Sequence, residues 1–354
     1  MSTGVRRDED FSGTKPVEER HRVDEARLAA WMAENVEGFA GPLSVSQFKG
    51  GQSNPTYRLD TPGRAYVMRR KPFGKLLPSA HAVDREFRVI AALGKQGFPV
   101  AKAYALCMDD SIIGAAFYIM SMEEGRVLWD PTLPNQSAEE RRPIFNDKVK
   151  TLAKLHMFEP DKIGLGDFGK PGNYFARQVD RWTKQYKASE TKLIPEMERL
   201  IEWLPKTVPA QERVSIVHGD YRLDNMIFHP TEPRVIAVLD WELSTLGDPM
   251  ADFTYLLMQW TMTPGLGDAD LAALKIPSMD EAAELYCQTT GRSSVPDLNW
   301  YYAYNLFRLA GITQGIAGRI RDGTAANARA IESAKRTVPL AQSSWAYAQK
   351  AGAN

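Results

Sequence analysis

The sequence is poor in cysteine and has no net charge, and both features exclude classes of protein. Only Cys107 and Cys287 are present among 354 residues, without the spacing of metal ligands. They therefore exclude a cysteine-bound metal site and indicate a reducing compartment. Lys plus Arg and Asp plus Glu both total 44, so the net charge is zero. Such a balance does not support binding to nucleic acid or to a membrane surface.

Long apolar runs are absent as well. No run approaches the roughly 18 apolar residues that a membrane-spanning helix needs. The amino-terminal 25 residues are rich in charge and lack the apolar core of a signal peptide. These absences predict a soluble, cytoplasmic protein, and the length is enough for one large or two moderate domains.

The most informative stretch runs from residue 214 to residue 252. Two apolar runs, 214–217 and 235–239, each end directly in a polar cluster. Short β-branched runs followed by turn-type residues are typical of buried strands that deliver side chains to a site. Because 229–233 has the composition of a turn, the two runs are predicted to form a hairpin-like unit.

Three oxygen-bearing side chains, Asp220, Asn225 and Asp240, would converge near one end of that unit. Phosphoryl transfer asks a protein mainly for positioning and for charge neutralisation. Asp220 is the candidate for orienting the attacking hydroxyl and accepting its proton. Asn225 and Asp240 are hard oxygen ligands that suit Mg²⁺. Arg222 could stabilise charge on the phosphoryl group during transfer.

The strings HGDYRLDN, LDWE and GDPMADF resemble the aminoglycoside phosphotransferase family, which has a protein-kinase-like fold. The string YVMRRKPFGKLLPSAHAVDREFRVI, residues 66–90, is similar to the branch that is fused to acyl-CoA dehydrogenase domains in some animal proteins. The likeness covers roughly residues 40 to 350. It implies an α+β fold of two lobes, the first small and β-rich, the second larger and mainly helical. It also implies ATP and Mg²⁺ as cofactors, with Asp220 as the catalytic base and Asn225 and Asp240 as metal ligands.

The resemblance further implies a set of nucleotide-binding residues. Arg69 stands where most kinases have a phosphate-binding lysine, and Glu86, on a helix predicted over 79–94, is its expected partner. Arginine can pair with phosphate in a bidentate manner but is not equivalent to lysine. Ser53, in a glycine-rich turn, is expected near phosphate oxygens. Ser121 and Glu123 would bind adenine through their backbone.

The predicted organisation has four parts. Residues 1–22 form a loose tail, 23–120 a nucleotide-binding amino-terminal lobe, 121–125 a hinge, and 126–354 a helical carboxy-terminal lobe with the catalytic loop and substrate site. The resemblance also implies that His218 braces the catalytic loop and that Asp248 orders the segment after the metal site.

The phosphoryl acceptor is expected to be a hydroxyl of a small molecule. Aminoglycosides are polycations and need an acidic pocket, whereas the helices expected to face the site carry Arg177, Arg181, Arg308, Arg319 and Arg321. This favours an acceptor with a carboxylate or phosphate, and the branch resemblance suggests a hydroxylated acyl compound or its CoA thioester. The candidate substrate residues are Arg177, Gln185, Glu242 and Arg308.

Alternative interpretations remain open at this level. One is a kinase for aminoglycosides or another cationic small molecule. A second is a non-catalytic nucleotide-binding pseudokinase, for which the departure at Arg69 is the only support. A metal-dependent hydrolase acting through His218 and Asp220 ranks last, because further histidine ligands are lacking nearby.

Overall fold

A computed structural model describes residues 13–49, 54–73, 82–263, 265–324 and 328–354. Its amino-terminal part is built on an antiparallel sheet of strands β1 (Thr14–Lys15), β2 (Ser44–Phe48), β3 (Thr56–Asp60), β4 (Ala65–Arg70), β5 (Ala103–Cys107) and β6 (Phe117–Ser121). The strand order in this sheet is β1-β2-β3-β4-β6-β5. The helices of this part are α1 (Glu25–Asn35) and α2 (Val83–Lys95).

Alternation along β4 decides which side chains face the space between the lobes. Tyr66 and Met68 are fully buried in a cluster with Leu28 and Met32 of α1. Successive side chains of a strand point to opposite faces. Arg69 therefore lies on the other face of the sheet, where it lines a cleft between the sheet and the helical part.

The carboxy-terminal part is mainly helical. Its helices are α3 (Ala138–Met157), α4 (Tyr174–Ser189), α5 (Pro195–Trp203), α6 (Met250–Leu257), α7 (Leu271–Leu274), α8 (Met279–Thr290), α9 (Asn299–Arg321), α10 (Ala328–Lys335) and α11 (Thr337–Lys350). Helix α3 begins with a capping box, in which the side chains of Ser137 and Glu140 each accept from the backbone N–H of the other residue. Within the described ranges, no helix has the length and apolarity needed to cross a membrane.

Two small two-stranded sheets carry the polar clusters. They pair β7 (Ser215–Val217) with β10 (Thr245–Gly247) and β8 (Met226–Phe228) with β9 (Val235–Val238), both antiparallel. The predicted pairing of 214–217 with 235–239 is therefore wrong. The strand missed in the prediction, β8, has only three residues, too few to show an alternating pattern. The two polar clusters nevertheless lie next to each other, because Leu239 N donates to Asn225 O (2.8 Å).

The two parts join just after β6. Arg126 exchanges two backbone hydrogen bonds with Phe228 (both 2.8 Å), which ties the chain after the predicted hinge to β8. A Cβ atom on Gly125 would lie 2.2 Å from the Phe228 carbonyl oxygen. Only glycine allows this approach, so Gly125 is required where the chain enters the helical part.

The predicted loose tail is wrong for its described portion, residues 13–22. Strand β1 pairs with the edge of β2, and Lys49 N donates to Gly13 O (3.2 Å). The Tyr57 hydroxyl donates to His21 O (2.8 Å), and Glu18 N donates to Gln47 Oε1 (3.3 Å). Composition misled the prediction because backbone pairing to a strand edge needs no apolar pattern.

Deletion of residues 1–21 should lower the free energy of unfolding relative to deletion of residues 1–12. The longer deletion removes these edge contacts, and at about 1 kcal/mol for each hydrogen bond the expected loss is about 2–4 kcal/mol. Urea denaturation of both forms measures it. Equal unfolding midpoints would show that β1 contributes nothing to stability.

Candidate active site

A cleft of about 1150 Å³ lies between the sheet and the helical part. Its lining includes several predicted site residues, and these are Arg69, Ser121, Glu123, Asn225 and Asp240. Ser53 lies outside the described residues. The cleft is also lined by Gly13 and Thr14 of the amino-terminal segment and by residues 126–130 and 134–136 that follow the hinge.

The loop after β7 holds the Asp220 carboxylate between several donors. Tyr255 donates its hydroxyl hydrogen to Oδ1 (3.0 Å), and Asn225 Nδ2 donates to Oδ2 (3.0 Å) and to the Asp220 carbonyl (2.9 Å). Arg222 Nε lies 3.3 Å from Oδ1, while its Nη2 lies 3.0 Å from Asp224 Oδ2. Donors on both oxygens fix the plane of the carboxylate, which suits a group that orients a hydroxyl.

Tyr255 was not predicted as a site residue. Burial, reinforced by the nearby Asp220 charge, raises the pKa of Tyr255 well above its ordinary value. Its hydroxyl therefore stays protonated and remains a donor to Asp220. The position carries only a weak signal in the sequence, because Thr254 and Asp252 are also polar residues of α6.

The backbone of the loop is braced by His218 and by Asp252. His218 Nε2 contacts Leu239 O (2.8 Å) and its Nδ1 accepts from Asp220 N (3.1 Å), so one imidazole joins the two polar clusters. The Asp252 carboxylate accepts from His218 N (2.5 Å) and Gly219 N (2.8 Å). These contacts agree with the bracing role predicted for His218.

Asp252, like Tyr255, is not predicted from the sequence as a site residue. Its side chain is only 2% exposed. Burial raises the pKa of Asp252, but the neighbouring imidazoles of His156 and His218 and the backbone donor outweigh it, so the pKa lies below its ordinary value. Asp248, predicted to order this segment, accepts from Met250 N (2.9 Å) at the start of α6.

Asp240 has a left-handed backbone conformation, with φ 63° and ψ 64°. Non-glycine residues rarely adopt it, and such strain clusters at functional sites. Asp240 Oδ1 lies 2.8 Å from Arg69 Nη2, which also lies 3.2 Å from Glu242 Oε2. Arg69 Nε lies 3.0 Å from Glu86 Oε2, so the predicted Arg69–Glu86 pair is present within a larger ion cluster.

Glu86 is the most buried member of this cluster. Its carboxylate also accepts from Asn54 Nδ2 (2.8 Å) and from the Tyr118 hydroxyl (3.2 Å). Burial raises the pKa of Glu86 to about 7, and the negative charges of Asp240 and Glu242 add to this shift. The positive charge of Arg69 opposes it.

The donor set at the cleft fits one kind of metal. Within the described ranges, no group of three or more His, Cys, Asp and Glu side chains could hold a metal ion. Asn225 uses its amide nitrogen on Asp220, which leaves its oxygen as an acceptor, and both Asn225 and Asp240 line the cleft. Mg²⁺ is commonly held by one or two protein carboxylates together with waters and substrate phosphates. The residues therefore fit a nucleotide-associated magnesium ion.

Some predicted site residues are already engaged elsewhere. Ser121 N donates to the carbonyl of Lys102 (2.9 Å), the residue before β5. This N–H is therefore not available to adenine. Arg177 donates to the carbonyls of Lys170 and Gly172, and Gln185 is exposed on α4. Neither Arg177 nor Gln185 lines the cleft. Both residues are predicted as substrate contacts because their helix is expected to face the site. The observed packing does not turn these side chains toward the loop.

Arg308 and Glu242, by contrast, contact residues of the candidate site. Arg308 Nη2 donates to Gly219 O in the loop, and Glu242 contacts Arg69. Of the five arginines taken to favour an anionic acceptor, Arg308 is the one that contacts the catalytic loop. Arg321, by contrast, pairs with Asp322 and with Glu190 O.

The architecture, a β-rich lobe and a helical lobe with the polar loop between them, is that of a kinase-like phosphotransferase. Residues 44–285 match the model of the phosphotransferase enzyme family, known as APH. The chain belongs to this family.

The chain is similar to several known proteins. A candidate aminoglycoside phosphotransferase from Ralstonia eutropha JMP134 has 55% identity and a TM-score of 0.86, over 93% of this chain and 99% of that one. Acyl-CoA dehydrogenase family member 10 of Mus musculus is 45% identical over 88% of this chain but 30% of its own length. A ternary complex of aminoglycoside phosphotransferase APH(4)-Ia with AMP-PNP and hygromycin B shares the fold alone, with 13% identity, a TM-score of 0.58 and coverage of 90% and 98%.

The mouse protein is one of several long relatives. The chain spans between 30 and 45% of the length of the curated relatives it matches. The predicted two-lobe, kinase-like fold and the predicted family are confirmed. The boundaries of the lobes and the roles of individual residues stay predictions.

Asp252→Asn should destabilise the protein by about 2–4 kcal/mol, because a buried amide cannot accept both loop N–H groups in this geometry. Urea denaturation measures the loss. Asp180→Asn is the control, since that exposed carboxylate pairs only with Lys184 and should cost less than about 1 kcal/mol. Similar midpoints for the two variants would contradict the bracing role.

A second prediction concerns pH. Because the pKa of Glu86 is raised from 4.5 to about 7 in the folded state, the folded protein binds more protons than the unfolded chain between these values. Stability from this group is thus complete below pH 4.5 and is lost as pH rises toward 7, by about 1–3 kcal/mol. Denaturation across this range should show the decline in the wild type and a smaller one in Glu86→Gln. Parallel pH profiles would contradict it.

Proposed function

We propose that this protein transfers the γ-phosphoryl group of ATP, together with Mg²⁺, to a hydroxyl of a small molecule. The proposal rests chiefly on one observation, the junction of the two polar clusters. Asn225 contacts the Asp220 carboxylate through its side chain and Leu239 N through its carbonyl, so Asp220, Asn225 and Asp240 lie on neighbouring segments. Family membership supports it, and the AMP-PNP complex of APH(4)-Ia supports a nucleotide as phosphoryl donor.

In this proposal Asp220 orients the acceptor hydroxyl and accepts its proton as the oxygen attacks phosphorus. The hydrogen bonds from Tyr255 and Asn225 hold the carboxylate in one orientation, which lowers the entropic cost of reaching the attack geometry. Arg222, 48% exposed and shared between Asp220 and Asp224, has the reach to contact the transferring group.

Asn225 and Asp240 would hold Mg²⁺, which neutralises phosphate charge when it is bound. Arg69 would bind the phosphates, with Glu86 fixing its orientation from the opposite side. In the ion cluster three carboxylates surround one guanidinium, which leaves excess negative charge next to the cleft. That charge favours the uptake of a divalent cation with the nucleotide.

The acceptor we propose is a hydroxylated acyl compound or its CoA ester. The curated relatives carry acyl-CoA dehydrogenase in their names, and this chain matches less than half of each. A phosphotransferase joined to such a dehydrogenase would act on the same class of acyl substrate. The described part of the cleft wall contains both acids and arginines, among them Glu123, Glu124, Arg58 and Arg126. It does not have the uniformly acidic character that a polycationic aminoglycoside would require.

The test is phosphoryl transfer from ATP to a panel of hydroxy acids, hydroxyacyl-CoA esters and aminoglycosides. Turnover confined to aminoglycosides would remove the proposed acceptor class. Asp220→Ala should lower turnover by about 10²–10⁴-fold and leave the ATP dissociation constant unchanged.

Asp167→Ala is the matched control for this variant. Its carboxylate is 79% exposed and pairs with Arg88 on the surface, so turnover should be unaffected. If Asp220→Ala keeps full turnover, or if no acceptor is phosphorylated while ATP binds, a non-catalytic nucleotide-binding protein becomes the better description.

A further inference from the structure

Arg308 is a buried cation without a carboxylate partner in the described part of the chain. It lies in the middle of α9 and is 8% exposed. Its Nη2 donates to the Gly219 carbonyl, and its guanidinium carbon lies 5.3 Å from the ring centre of Tyr255 and 5.7 Å from that of Trp182. Neither a carbonyl nor an aromatic ring neutralises its charge.

The burial of this guanidinium is energetically unfavourable unless an anionic group pairs with it. Buried charges in proteins are normally paired with an opposite charge, because removal from water is expensive. Arg69, whose side chain is 11% exposed, contacts three carboxylates. Arg70 is also buried, but its Nε donates to the Tyr57 hydroxyl and its Nη1 to Lys71 O, within the amino-terminal lobe.

The position of Arg308 links it to the reacting group. Gly219, whose carbonyl it contacts, directly precedes Asp220, and Tyr255, whose ring it packs on, donates to the Asp220 carboxylate. Burial lowers the pKa of Arg308, but the surrounding tyrosines and Asp220 outweigh it, so the pKa lies above its ordinary value and the side chain stays charged. A molecule whose hydroxyl meets Asp220 would therefore have a permanent positive charge nearby.

We propose that Arg308 binds an anionic group of the acceptor, a carboxylate or a phosphate carried a few bonds from the hydroxyl that is phosphorylated. Trp182 and Tyr255 would form the aromatic walls of this subsite. The inference rests on the proposed phosphotransferase function and narrows its acceptor to anionic hydroxy compounds. Guanidinium suits this role because its planar donors match the oxygens of both groups.

The experiment compares charged acceptors with neutral analogues of the same shape. The 2-, 3- and 4-hydroxybutyrates are tested beside their primary amides, and glycerol 3-phosphate beside glycerol. Binding is measured by calorimetry with saturating ADP and Mg²⁺, and phosphorylation is measured with ATP. In the wild type at least one anion should bind at least 10-fold more tightly than its neutral analogue. The arm that shows the preference identifies carboxylate or phosphate as the ligand.

Arg308→Met should raise KM and Kd for the preferred anion by about 10–100-fold, the range expected for loss of a charge-assisted hydrogen-bonded pair. The values for the neutral analogue and for ATP should stay within twofold. Arg308→Lys should recover part of the anion preference, because it restores charge without the planar fork. A merely structural arginine would weaken all ligands together, so this split separates the two roles.

Arg199→Met is the matched control, since this exposed arginine stacks on Trp345 (5.4 Å) away from the site and should change no constant. The inference is overturned if no anion is preferred over its neutral analogue, or if Arg308→Met affects both equally, even when another acceptor is turned over. Absence of ATP binding and of all phosphoryl transfer would instead overturn the proposed function itself.

Discussion

The ion cluster around Arg69 is the contact on which the arrangement of the site depends. It joins strand β4, helix α2 and the segment after β9, and it spans separations of 171 and 173 residues along the chain. Glu86 approaches the guanidinium from α2, while Asp240 and Glu242 approach it from the helical lobe. Because these groups are largely withdrawn from water, their attraction is less screened than that of surface pairs. The cluster therefore links the two lobes across the cleft.

A second buried network holds the catalytic loop. Asp252 accepts two backbone N–H groups, and His218 connects the loop to Leu239. Such networks contribute little net stability but define one conformation, since each donor left unpaired would be costly. Gly219, with φ 86°, permits the turn between His218 and Asp220, and a Cβ atom at this position would lie 2.9 Å from Leu243 Cβ. The position of Asp220 thus depends on residues that take no part in the proposed chemistry.

The positions of the candidate site residues could be predicted from local sequence patterns, whereas the pairing of the strands that carry them could not. Asp220, Asn225 and Asp240 are predicted to converge, and Asn225 contacts both Asp220 and the segment that carries Asp240, although the predicted pairing of their strands is wrong. Polar residues directly after short apolar runs are a local signal. Strand partners are a non-local choice, and β8 with three residues leaves too little pattern to reveal it.

The order of the elements, the polar loop residues and the Arg69–Glu86 pair could be derived from the sequence and its family resemblance. Only tertiary structure decided that Asp252 and Tyr255 reach the loop, that residues 13–22 add a strand, and that Arg177 turns away while Arg308 turns toward Gly219. Helix periodicity defines which residues share a face, but packing against other helices decides what that face meets, and that packing depends on the whole chain at once.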